Sequence, residues 1–226
     1  MVRLVLFDID GTLLHTNAVG LTAFGRALEL EFAIEHGTRG VKFAGRTDTG
    51  IAREILRRHG IEPSKTNLAN LFDCYLHLLA DLLIEGRGEI CSGVGEFIRE
   101  LRHLPEPPVI GLLTGNLRLG AELKLRRFGL WDFFTTGAFA DDHEDRNQIA
   151  TVAHQRGCQL LGRKLRGEQM LVIGDTPLDI ACGRAIGARV LAVATGGSPL
   201  AELEAHQPDW AAENLTRVSA RVACAG

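Results

Sequence analysis

Four short clusters carry side chains suited to chemistry. The first is Asp8-Ile9-Asp10-Gly11-Thr12, with two carboxylates two residues apart. On an extended chain such residues project to the same side, so Asp8 and Asp10 face together while Ile9 turns away. With no Lys or Arg between them, they repel unless a cation or proton intervenes. The second cluster, Leu113-Thr114-Gly115-Asn116, offers a hydroxyl and exposed backbone N–H groups. The third is Arg146, within the acidic stretch Asp141–Asn147, and the fourth is Gly174-Asp175-Thr176-Pro177-Leu178-Asp179. Singly, each has a plain structural alternative: an acidic turn, ordinary turn chemistry, a solvated loop, or a helix cap. Together they supply carboxylates for a hard divalent cation, with magnesium the natural candidate, and a hydroxyl and guanidinium suited to phosphoryl oxygens.

These clusters follow apolar runs. Val2–Phe7 stops at Asp8, Val109–Leu113 at Thr114, Met170–Ile173 at Gly174-Asp175, and Val190–Val193 just before Thr195-Gly196-Gly197. Continuous rather than alternating apolar strands imply burial on both faces, as in a parallel sheet covered by helices. Ligands of such sheets bind at the carboxyl ends of the strands. Thr176 and Pro177 should open a helix that Gly187 ends. The expected fold class is α/β: a doubly wound, Rossmann-like core from residues 1–15 and 90–226. Residues 16–89 read as all-helical, with Leu68, Leu71, Tyr75, Leu78 or Leu79, and Leu82 at helical spacing. Asp48 is expected to cap the segment Thr49–His59, and Pro63-Ser64 to open the next helix. The stretch is far too long for an ordinary connection and is expected to form an inserted domain.

Composition narrows the function. The 226 residues include 25 Lys+Arg and 28 Asp+Glu, a net charge of −3, with 46% hydrophobic residues. This argues against a disordered chain and against a nucleic-acid binder built on a basic field. The 26 Gly exceed the roughly 7% typical of proteins and point to tight turns or backbone approaching a ligand. Cys74, Cys91, Cys158, Cys182 and Cys224 are odd in number and form no Cys-x-x-Cys pair, which fits reduced thiols in a cytoplasmic protein. Asp8 interrupts the apolar N-terminus before a signal core forms, and no apolar run approaches a membrane span. His15, Asn17, His143, His154, Trp131 and Trp210 are read as structural.

In order and spacing, Asp8-x-Asp10-Gly11-Thr12, Thr114, Arg146 and Gly174-Asp175 with Asp179 closely resemble the haloacid dehalogenase superfamily. The helical insertion after the first motif resembles its phosphoglycolate-phosphatase and phosphoglucomutase-like branch, with a C1-type cap, and the resemblance covers nearly the whole chain. It implies a Mg2+-dependent phosphatase acting on a small phosphorylated metabolite, with Asp8 as nucleophile and Asp10 as general acid–base. The cation would be held by Asp8, Asp175 and the backbone carbonyl of Asp10, with Asp179 in support. Thr114, Gly115, Asn116, Arg146, Gly11 and Thr12 would hold the phosphoryl group. Arg146 departs from the family, which usually has Lys there. An Asp at position 10 favours phosphoryl transfer over dehalogenation. In the loop Phe43–Asp48, the residues Gly45, Arg46 and Thr47 are expected to select substrate, with Arg46 reading a second anionic group. Two alternatives stay open: a sugar phosphomutase on the same scaffold, and a phosphorylated signalling module, which would need neither Asp10 nor the insertion.

Overall fold

The computed structural model describes residues 1–225. In chain order the elements are β1 (Leu4–Phe7), β2 (Leu14–His15), α1 (Val19–Phe32), α2 (Asp48–Arg58), α3 (Lys65–Glu85), β3 (Glu89–Ile90), α4 (Val94–Arg102) and β4 (Val109–Leu113). They continue with α5 (Arg118–Arg127), β5 (Thr136–Ala138), α6 (Arg146–Leu161), β6 (Met170–Gly174), α7 (Pro177–Ala185), β7 (Arg189–Val193), α8 (Leu200–Ala205), β8 (Trp210–Ala212) and α9 (Ala220–Cys224). Six strands form one sheet in the order β5-β4-β1-β6-β7-β8, every pair parallel.

β1 is central because its side chains are apolar on both faces. Val5 and Phe7 join one core layer with Phe97, Leu112 and Ile173, and Leu4 and Leu6 join the opposite layer with Ile149, Val172 and Ile180. Phe7 meets Phe97 edge to face, with ring centroids 6.3 Å apart, a geometry that aromatic quadrupoles favour. Phe7 pairs with Leu112 of β4 and Ile173 of β6. This register places the ends of the three strands side by side. The edge strands β5 and β8, three residues each, lack the long apolar run that marks the others and were not expected from sequence.

The chain leaves the sheet through β2 and returns through β3, which pair antiparallel as Leu14 with Ile90 and His15 with Glu89. Between them lie α1, α2 and α3 with a core of their own, including Phe24, Leu28, Ile51, Ile55, Leu71, Tyr75 and Leu79. Leu117 and Ala140 from the sheet unit complete that core. Ser64 caps α3, accepting from the Asn67 N–H at 3.2 Å. For α2 the structure corrects the expectation: Thr47, not Asp48, is the cap, its hydroxyl accepting from the Gly50 N–H at 3.1 Å. The helix begins one residue earlier than expected, which frees the Asp48 carboxylate to reach across to the sheet unit. Among the described residues no helix is long and apolar enough to cross a membrane.

Leu79 is fully buried in the core of the insertion, facing Gly120 of α5. Leu79→Ala is expected to lower the free energy of unfolding by about 2–5 kcal/mol, measured by urea denaturation followed by circular dichroism.

Candidate active site

Asp8, Thr114 and Asp175 stand at or just beyond the ends of β1, β4 and β6. The Asp8 N–H donates to Ile173 O (2.9 Å) and the Thr114 N–H to Ala138 O (3.2 Å), so each side chain is aimed by backbone pairing. Asp8, Asp175 and Asp179 are all buried, and one carboxylate oxygen of each lies within 4.8 Å of the others. Asp175 accepts from the Thr12 hydroxyl at 3.0 Å. Thr12 is completely buried, and its hydroxyl orients that carboxylate. Gly11 has a left-handed φ of 82°, and a Cβ there would stand 2.6 Å from Asp175 Oδ2. Only glycine allows this turn to pass so close to the carboxylate. Asp179 caps α7 through Thr176, accepting from its N–H (3.0 Å) and its hydroxyl (2.7 Å). Cap and cluster roles, alternatives in the sequence, coexist because the carboxylate has a second oxygen.

Arg146 is the first residue of α6, placed by the Asp145 cap that precedes it. Its Nη2 contacts Asp8 Oδ1 at 3.0 Å and also pairs with Asp179. Its Nη1 donates to the Gly45 carbonyl at 3.0 Å, in the loop that precedes α2. One planar fork therefore binds both the carboxylate cluster and the inserted domain, which a single ammonium would do with less defined geometry. The Arg146 Nε is buried without a partner among the described residues.

Asp10 is held apart from this cluster. Lys124 Nζ donates to both Asp10 oxygens (2.9 and 2.6 Å) and to Asn116 Oδ1 (2.6 Å), while Asn116 Nδ2 donates to Asp10 (2.8 Å) and to the Thr114 hydroxyl (2.8 Å). Asn116 thus orients Asp10, a different task from the expected phosphoryl contact, although it still lines the cavity. Lys124 was not anticipated. The signal was present: α5 buries Gly120, Ala121 and Leu125, and Lys124 falls on that same stripe. A lysine on the buried face of a helix requires a partner.

The loop before α2 is fastened to the sheet unit. The Asp48 N–H donates to Gly115 O (2.7 Å), and the Asp48 carboxylate accepts from the Leu117 N–H (2.8 Å). The Thr47 hydroxyl donates to Glu144 O at 2.8 Å. Thr47, expected to select substrate, is placed as a fastening between the two units and is not among the residues lining the cavity. Any Cβ at Gly115 would collide with the Arg46 backbone, so glycine permits the close approach. Arg46 lines the cavity, but its guanidinium pairs with Glu54 at 2.6 Å and donates to Lys42 O at 3.2 Å. The free cation expected there is already neutralised. Gly45, with a φ of 70°, also lines the cavity.

The cavity between the two units has a volume of about 430 Å³ and is lined by Asp8, Asp10, Gly11, Asn116, Lys124, Arg146 and Asp175 on the sheet side. Burial pushes the Asp8 carboxyl up to about 6, opposed by Arg146 and reinforced by Asp179 and Asp10. Burial also pushes Asp175 up to about 8, with Asp179 and Asp8 adding to the rise. Burial works against the Arg146 charge, but Asp179 and Asp8 hold its pKa well above the ordinary arginine value. Three buried oxygen donors with excess negative charge fit a hard divalent cation such as magnesium. The Asp10 side chain, tied to Lys124, stands outside that donor set.

Residues 2–187 match the family described as haloacid dehalogenase-like hydrolase. The chain is 27% identical over 216 residues to the pyrophosphatase PpaX of Bacillus cereus, covering 95% of this chain and 94% of that protein. Among solved structures, a hydrolase from Pseudomonas syringae superposes with a TM-score of 0.71 at 20% identity, covering 96% of this chain and 95% of the other. A predicted phosphoglycolate phosphatase from Haemophilus somnus gives a TM-score of 0.71 at 16% identity, covering 98% and 96%.

A carboxyl whose pKa is raised by folding keeps its proton in the folded state. The associated stability is present at low pH and is lost as pH rises through the folded values. With a chelator present, the Tm is therefore expected to fall as pH rises from about 4, where the unfolded carboxyls titrate, to about 8. Added Mg2+ should raise the Tm more at the upper end of that window, because it competes with protons for the same oxygens. Scanning calorimetry checks this, and a Mg2+ shift independent of pH would contradict the cluster as the metal site.

Proposed function

From the premise that the chain belongs to the haloacid dehalogenase-like hydrolase family and is a phosphatase of it, we propose that it hydrolyses a small phosphate monoester through an aspartyl-phosphate on Asp8. The observation that carries this reading is the division between the two aspartates. Asp8 stands inside the buried carboxylate cluster beside Arg146, while Asp10 is held out of it by Lys124 and Asn116.

Asp8, Asp175 and Asp179, with the backbone carbonyl of Asp10, would hold Mg2+. The bound ion would neutralise phosphoryl charge and so ease the approach of an anionic nucleophile. Arg146, released from Asp8, turns its Nη2 to a phosphoryl oxygen, and the Thr114 hydroxyl and the Gly115 backbone supply neutral donors. The Asp8 carboxylate oxygen attacks phosphorus as the bond to the leaving oxygen breaks. Asp10, having taken up a proton as it separates from Lys124, gives that proton to the leaving oxygen. A water then attacks the aspartyl-phosphate, Asp10 takes its proton, and the bond between Asp8 and phosphorus breaks to release inorganic phosphate. Two easier steps replace one hard one, and acid–base assistance of this kind is typically worth about 10²–10⁴-fold. The inserted helices act as a cap that closes over the leaving group and keeps bulk water from the intermediate.

Asp8→Asn is expected to fold normally by circular dichroism and to lose hydrolysis of para-nitrophenyl phosphate by about three orders of magnitude or more. Retained turnover would remove Asp8 as nucleophile, and a sugar phosphate converted to an isomer without phosphate release would replace the phosphatase reading with a mutase. Arg146→Lys keeps the charge but loses the fork that also reaches Gly45. Its kcat/KM is expected to fall about tenfold or more, and Arg146→Ala further. Steady-state kinetics equal to wild type for Arg146→Lys would show that the bond to Gly45 contributes nothing.

A further inference from the structure

On the cap side, the cavity has a chemical character that the phosphoryl site does not determine. Its wall there is formed by Leu21 and Phe43, with the buried Phe24 and Tyr75 rings behind them. Phe24 contacts Phe43 edge to face at 5.7 Å and Tyr75 at 5.3 Å between centroids, so the three rings form one continuous apolar layer. Two polar groups interrupt it. Tyr75 is only 2% exposed, and it lines the cavity with its hydroxyl near Asp48 and Asp10. Asp48 uses one carboxylate oxygen for the Leu117 N–H, and its other oxygen has no partner among the described residues.

Every fixed positive charge lining the cavity is paired. Arg46 is bound by Glu54, Lys124 by Asp10, and Arg146 by Asp8 and Asp179. His15, at the start of the insertion, is the remaining titratable base in the wall. A substrate with a second phosphate or carboxylate would place that group toward the free oxygen of Asp48 and the Asp10–Lys124 pair, with no fixed charge left to balance it. A hydroxylated body would instead donate to Asp48, bond to the Tyr75 hydroxyl, and lay its C–H groups against Leu21 and Phe43, as polar groups set in apolar walls require.

We propose that this cavity selects phosphate monoesters with an uncharged, hydroxyl-bearing leaving group and disfavours substrates with a second anionic group, Asp48 and Tyr75 reading the hydroxyls and Glu54 masking Arg46. The proposal rests on the phosphatase reading above. It also separates this chain from what the name pyrophosphatase says of its Bacillus cereus relative.

The test measures kcat/KM with Mg2+ at neutral pH for ribose 5-phosphate and glucose 6-phosphate against inorganic pyrophosphate and 2-phosphoglycolate. Para-nitrophenyl phosphate serves as the neutral reference. Wild type is expected to favour the better of the two sugar phosphates by about tenfold or more over both doubly anionic substrates, the range that one site-built hydrogen bond or charge contact supplies. Glu54→Gln releases Arg46, and Asp48→Asn removes the charge while its amide oxygen can still accept from Leu117. Each is expected to shift the ratio of pyrophosphate to sugar-phosphate kcat/KM upward by about threefold or more. Tyr75→Phe, which preserves the ring, is expected to lower that of the preferred sugar phosphate relative to the aryl ester. Pyrophosphate or phosphoglycolate preferred by wild type, with that ratio unmoved in Glu54→Gln and Asp48→Asn, would overturn the proposal while leaving the phosphatase reading intact. No hydrolysis of any of the five would overturn both.

Discussion

The structure depends on keeping three carboxylates, Asp8, Asp175 and Asp179, buried within a few ångströms of one another. Like charges in so dry a place repel strongly and lose hydration, and both effects favour the protonated acids. Arg146 offsets part of that cost from the first turn of α6, and the Thr12 and Thr176 hydroxyls each satisfy a carboxylate oxygen. Much of the local architecture follows from this: the glycine turn at position 11, the cap on α7, and the burial of a guanidinium. A bound divalent cation is the natural complement to the charge that remains.

The same guanidinium links the two structural units. By donating to the Gly45 carbonyl, Arg146 makes the position of the insertion sensitive to the charges at the strand ends. The Asp48 and Thr47 bonds to Gly115, Leu117 and Glu144 add to that attachment. The seam is apolar as well: Leu117 and Ala140 of the sheet unit pack into the core of the insertion, and Leu76 and Leu79 of α3 face Gly120 of α5. The chemistry proposed for the strand ends and the selectivity proposed for the opposite wall therefore meet at Arg146 and Asp48.

Much of this was legible in the sequence. The four central strands announce themselves as apolar runs that stop at Asp8, Thr114, Asp175 and Thr195, because a strand buried on both faces has no room for polar residues. β5 and β8 were invisible, since a three-residue edge strand is defined by the neighbour it pairs with and not by its own pattern. Lys124 went unseen for a related reason. Its partner Asp10 lies 114 positions away, and only the fold brings an ammonium on α5 to a carboxylate beyond β1.

What the residues alone determined is the chemistry available: paired carboxylates, a hydroxyl and glycines, placed at strand ends by local periodicity, and a guanidinium in an acidic stretch that leads into a helix. Those features depend on neighbours close in sequence, where spacing and propensity act directly. What only the tertiary structure decided is how each group is used. Thr12 turns to Asp175, Asn116 to Asp10, Thr47 to Glu144, and Arg46 to Glu54. A polar side chain withdrawn from water must take a partner, and which partner lies within reach is set by packing across the whole chain.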